Sequence, residues 1–98
     1  MNDEQRSKMR HNVSVWGRYR SNNGVRRDIQ LKNLSETGCQ FYDRFTGLQS
    51  GDEITLRIEN LGPFDATVRW VDAGYVGVQF SDELYGPTFD HIRLKLSS

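Results

Sequence analysis

Val13-Ser14-Val15-Trp16-Gly17-Arg18-Tyr19-Arg20, then Ser21-Asn22-Asn23-Gly24, then Val25 to Leu34: this stretch sets the fold class. In its first part Val13, Val15 and Tyr19 share one face of an extended chain, because side chains alternate with a period of two in a strand. The four residues Ser21 to Gly24 are turn formers. Beyond them Ile29 and Leu31 fall on one parity, and Arg26, Asp28, Gln30 and Lys32 on the other. Two alternating runs around a polar turn predict an antiparallel hairpin with one face in a core.

The same pattern continues outward. A short strand, Cys39 to Tyr42, follows Ser35-Glu36-Thr37-Gly38, and a turn-rich loop runs through Gly47 and Gly51-Asp52. Ile54, Leu56 and Ile58 then alternate with polar neighbours, and Asn60-Leu61-Gly62-Pro63 is expected to break that run. Ala66, Val68 and Trp70 alternate again, and Asp72-Ala73-Gly74 turns the chain into Val76, Val78 and Phe80. From Gly86-Pro87 the spacing changes: Phe89, Ile92 and Leu96 recur at helical intervals, with proline in the first turn where its missing N–H costs nothing. The expected fold is mainly β, a small six-stranded antiparallel β-barrel with a short C-terminal α-helix over residues 13–98. Residues 1–12 are expected to form a flexible N-terminal arm.

Composition agrees with one compact domain. The 98 residues suffice for a single core, and 36% hydrophobic with 11% aromatic residues is too apolar for a disordered chain. No apolar run approaches the roughly 20 residues of a membrane span, and Met1 to Arg10 is polar where a secretion signal is apolar. A cytoplasmic protein without membrane insertion is expected. Cys39 stands alone, so no internal disulfide is available, and burial is its expected state. His11 and His91 lack partners at the spacing of a metal site or a catalytic triad, and neither phosphate-binding nor dinucleotide-binding glycine patterns occur. Neither enzyme activity nor a bound cofactor is expected.

The formal charge is zero, but it is unevenly spread. Residues 1–32 hold eight Lys/Arg against three acids, a net of +5, and residues 33–98 carry a net of −5. The basic third suits an anionic partner, while the acidic remainder argues against wrapping a long polyanion, so a small anion fits better than nucleic acid.

Two short segments could hold such an anion. In Arg6-Ser7-Lys8-Met9-Arg10, two arginines stand four apart. Guanidinium groups are rigid forks of donors that pair with phosphate oxygens or with the O6/N7 edge of guanine. In Asn33-Leu34-Ser35-Glu36-Thr37-Gly38, a carboxamide offers donor and acceptor together, a hydroxyl serves as either, and glycine permits close backbone approach. Taken separately, the first is also what any charged tail contains, and the second what any turn contains.

Together, RxxxR at 6–10 and [DN]xSxxG at 33–38, with a hairpin between, resemble the signature of PilZ domains, bacterial receptors for cyclic di-GMP. The resemblance extends through Val68-Arg69-Trp70-Val71 and Gly77-Val78-Gln79-Phe80. It implies that Arg6 and Arg10 hold phosphates and guanine, that Asn33 and Ser35 contact a guanine, and that Gly38 shapes the turn. Trp70 falls where some members of that family stack an aromatic ring on guanine, yet its parity with Ala66 and Val68 equally suits the core. Many members carry a further arginine just before the first motif arginine, where this chain has Gln5, which leaves weaker binding or a different ligand stoichiometry open. Because so polar an arm cannot order itself without an opposite charge, it is expected to be disordered when free and to fold over the barrel when cyclic di-GMP binds, changing the surface offered to a protein effector. Two alternatives remain at this point: an adaptor of the same fold that binds no nucleotide, and a barrel that binds single-stranded nucleic acid.

Overall fold

A computed structural model describes residues 10–96. Six strands run β1 His11–Ser21, β2 Arg26–Leu34, β3 Gly38–Tyr42, β4 Glu53–Ile58, β5 Leu61–Asp72 and β6 Tyr75–Phe80. A helix α1, Gly86–His91, continues into a π-type turn at Ile92–Leu96. The strands close into one antiparallel barrel in the order β1-β2-β3-β6-β5-β4. Closure leaves no exposed sheet edge, which a six-stranded open sheet of this size would present to other chains.

The core is built from the alternating positions. Val13, Val15 and Tyr19 of β1, Ile29 and Leu31 of β2, and Ile54, Leu56 and Ile58 of β4 all point inward and are buried. Each fully buried aliphatic or Phe side chain contributes about 1.5–3 kcal/mol relative to the same chain left in water. Cys39 is inside too, and burial pushes its thiol up to about 12, the nearby Arg10 charge only partly opposing it. Leu48 from the β3–β4 loop joins the core, and Leu84, Phe89 and Ile92 complete it from the C-terminal segment. Helix α1 is tied to β1 through Phe89, whose ring centroid lies 5.5 Å from that of His11.

At two places the backbone departs from the simple alternation. β1 opens at His11, two residues before Val13, because His11 pairs with Leu34 and Asn12 with Asn33, so these two residues of the expected arm are part of the barrel. The expected break between the two runs is shorter than Asn60 to Pro63: β4 ends at Ile58, the turn is Glu59-Asn60, and β5 already starts at Leu61 and includes Pro63. Proline is tolerated there because β5 meets β6 only from Ala66 onward, so no neighbour on that side requires an N–H from Pro63. The β4 register is also irregular at that point, between Leu56 and Ile58.

The loop after β3 is fastened by a buried carboxylate. Asp43 receives the Tyr19 hydroxyl at 2.9 Å and a two-pronged pair of bonds from Arg27, Nε at 2.5 Å and Nη2 at 2.8 Å. Burial, the largest influence, pushes the Asp43 carboxyl up, but the bonds from Arg27, Tyr19 and the Phe45 N–H together outweigh it and hold it below the usual 3.8. Burial likewise raises the Tyr19 hydroxyl above its ordinary value.

Candidate functional site

Three irregularities of register bring Asn33 of the second motif, with Arg10 beside it, onto one outer strip with Trp70. Between Leu31 and Asn33 the β2–β3 register slips by one residue, and β1 slips opposite the same point between Asn12 and Val15. Lys32 and Asn33 therefore both lie outside the core, while Leu34 turns back into it. Across the strands Asn33 stands beside Gln40 of β3, Gln40 beside Gly77 of β6, and Gly77 beside Trp70 of β5. At the usual strand spacing that line is about 14 Å long.

The third slip decides where Trp70 points. In the β5–β6 pairing Val68 faces Val78 but Trp70 faces Gly77, so one residue of β5 is extra. Arg69 and Trp70 are both exposed as a result, and Val71 packs back against the core. This corrects the parity argument that grouped Trp70 with Ala66 and Val68: a bulge inverts the alternation beyond it. Trp70 is 38% exposed, and its indole fills the space above Gly77, where a Cβ would approach Nε1 to 2.3 Å.

At the other end of the line Arg10 donates from Nη1 to Asn33 Oδ1 at 3.2 Å, and Asn33 Nδ2 donates to Gln40 Oε1 at 2.6 Å. Arg10 is exposed, and the bond to Asn33 uses one of its guanidinium nitrogens. The strip thus joins a cation, a carboxamide pair and an indole, the groups that bind a phosphate, a base edge and a base face respectively.

Ser35 and Gly38 have another position. Ser35 is 1% exposed and its amide donates to Gly38 O at 2.9 Å. Its hydroxyl lies 3.1 Å from Thr37 Oγ1, donates to Gly38 O at 3.3 Å and accepts from the Thr37 amide. It closes the turn from inside. Gly38 is required by the approach of β3 to β6, since a Cβ there would stand 2.2 Å from Val78 O. The second motif therefore serves the backbone at Ser35 and Gly38, and faces solvent at Asn33. Arg6 lies outside the described residues.

A family model for the PilZ domain matches residues 4–95. The chain belongs to the PilZ domain family. No curated protein matches it. The match takes in both motifs, the six strands and the helix, which is the extent expected from the resemblance at the motifs. PilZ domains form a family of cyclic di-GMP-binding receptors and adaptors.

Two residues of this PilZ domain's strip were not singled out from the sequence. Gln40 is visible there only as the polar member between Cys39 and Phe41, and its partnership with Asn33 depends on the β2–β3 slip. Arg69, beside Trp70 on the same bulge, reaches across β5 to β6 and donates from Nε to Gln79 Oε1 at 2.8 Å. Gln79 is in turn the register partner of Gly38, so Arg69 borders the turn of the second motif. Among the described residues no helix is long and apolar enough to cross a membrane.

Proposed function

We propose that this PilZ domain is a receptor for cyclic di-GMP, binding it on the strip from Arg10 through Asn33 and Gln40 to Trp70, and that its role is binding, not catalysis. The observation that carries this is the juxtaposition of Arg10, Asn33 and Trp70 on one outer face, produced by bulges that alternation alone does not require. Arg10 pairs with a phosphate or a guanine edge, Asn33 with a guanine edge, and the exposed face of Trp70 takes a purine by stacking. Arg6, four residues before Arg10, adds a second fork to the same ligand. Ser35 and Gly38 act by holding the turn that presents Asn33.

In this reading ligand binding changes the surface around Arg10, and a protein effector responds to that change. Isothermal titration of the full chain with cyclic di-GMP tests it: saturable binding is expected, and none up to about millimolar ligand overturns it.

One observation favours the adaptor alternative. Both polar atoms of the Asn33 carboxamide already have a partner, Arg10 for the oxygen and Gln40 for the nitrogen, and the Ser35 hydroxyl is engaged inside its turn, so these two motif residues are held in place without a ligand. An adaptor would bind its partner equally well with and without cyclic di-GMP.

A further inference from the structure

The far end of β1 carries a surface of another kind. In the register Arg18 stands opposite Arg57 of β4, and Arg20 stands opposite Arg26 of β2. Like charges directly opposite one another weaken a sheet, and here two such pairs adjoin. One carboxylate answers them: Arg18 donates to Asp28 Oδ1 at 2.7 Å. Among the described residues Arg20, Arg26 and Arg57 enter no ion pair. The four arginines, with Thr55 and Pro63, line a depression of about 310 Å³. Beside it a second depression holds Trp16, 59% exposed, together with Arg18 and Arg57.

The nucleotide strip does not account for this cluster. Eight to ten residues of strand separate Arg10 from Arg18 and Arg20, a distance of roughly 25–33 Å. None of Asn33, Gln40 or Trp70 lines either depression.

We propose that the Arg18, Arg20, Arg26 and Arg57 patch, with Trp16 at its margin, is the docking surface for an acidic segment of a partner protein. Charge complementarity sets the chemistry: planar guanidinium forks take carboxylates in pairs, and arginine with tryptophan is the combination that dominates well-packed protein interfaces. The surroundings set the size of the occupant. Glu59 lies in the Trp16 depression together with Asp28, which is already paired with Arg18, and Glu53 and Asp65 share the next depression with Arg20. A nucleic-acid backbone continuing past the arginines would run onto these carboxylates, whereas a short run of Asp and Glu ends before them. The inference goes beyond nucleotide binding and stands without it.

The test is titration of the isotope-labelled full chain, without nucleotide, with an acetylated hexaglutamate peptide at low ionic strength, followed by NMR. The amides of Arg18, Arg20, Arg26 and Arg57 and the Trp16 indole are expected to shift together. Reversing two charges, Arg20→Glu with Arg57→Glu, should weaken binding by at least about tenfold, while Lys95→Glu on the exposed C-terminal turn changes it less than about twofold. The double variant places opposite charges across from Arg26 and Arg18, so its melting temperature should equal or exceed that of the wild type, which keeps a loss of binding distinct from a loss of fold. Three results would overturn the proposal: no shifts up to about millimolar peptide, equal shifts around Lys95 and Arg93, or a thymidylate hexamer that binds the patch more tightly than the peptide. Because nucleotide is absent throughout, failure here leaves the cyclic di-GMP titration untouched, and the reverse.

Discussion

The Trp70 indole occupies the place of a side chain that Gly77 lacks, with Cε2 and Nε1 each 2.3 Å from where a Cβ would stand. A residue on one strand thus completes the surface of the next, and the glycine is what lets an exposed tryptophan lie against the barrel. Gly38 answers a different neighbour, the Val78 carbonyl at 2.2 Å from its notional Cβ.

Those two contacts predict different outcomes for alanine. In Gly77→Ala the indole can swing outward, so the loss should be about 1 kcal/mol, with a red shift of tryptophan emission as Trp70 gains solvent. In Gly38→Ala the obstacle is backbone, and relief requires β3 and β6 to separate, so about 3 kcal/mol or more is expected. Urea unfolding followed by fluorescence checks the ranking, and equal losses would contradict it.

Along the strip the expected order of effects on cyclic di-GMP affinity follows the bonds. Arg10→Ala removes a charge-assisted contact and should weaken binding by about 10–100-fold. Gln40→Ala removes the group that orients Asn33, and about 3–10-fold is expected. Arg18→Ala, at the far end of β1, should change affinity by less than about twofold. Calorimetry on the three variants gives the order directly.

Asp43 predicts the acid limb of stability. A carboxyl whose pKa is lower in the folded chain than in the unfolded one adds stability above its unfolded value, and loses it as pH falls through the folded value. Asp43 lies below 3.8, so its contribution should be complete near neutrality, begin to fade near about pH 4 and be lost as the pH falls through its folded value. Asp43→Asn is expected to cost about 1–3 kcal/mol at pH 7. Urea midpoints of the two proteins should converge as the pH is lowered, and a gap that stays constant to about pH 2 would count against this linkage.

Cys39, buried with its thiol at about 12, should be inert in the native chain. Burial both shields the thiol and disfavours the thiolate that would react, so exchange with an aromatic disulfide reagent should proceed at the rate of unfolding. Rapid colour development in the absence of urea would show that the site opens locally.

How far these features were legible differs by kind. The six strands, the closed barrel and the helix from Gly86 came from alternation and turn chemistry, which are local and repeat along the chain. The Arg and Asn motifs were visible because their residue types and spacing are specific. Gln40, Arg69 and the outward turn of Trp70 were not, because each depends on a one-residue slip in the pairing of neighbouring strands, β2 with β3 and β5 with β6, which alternation along a single strand does not reveal. Pro63 was misjudged for a related reason: whether a strand tolerates proline depends on which side has a neighbour, and that is a property of the sheet.

By itself the amino-acid order determined the core-facing aliphatic positions of the regular strands, since hydrophobic burial acts residue by residue with the period of the strand, and it placed Arg10 and Asn33 in motifs that together resemble one signature. Tertiary structure alone decided that Asn33 bonds to Gln40, that Ser35 is spent inside its turn, and that Trp70 stands over Gly77 and not in the core. The same holds for the meeting of Arg57 with Arg18 across β1 and β4. The physical reason is common to all four: register between strands is fixed by the packing of the whole barrel, and a single bulge reverses the face of everything beyond it.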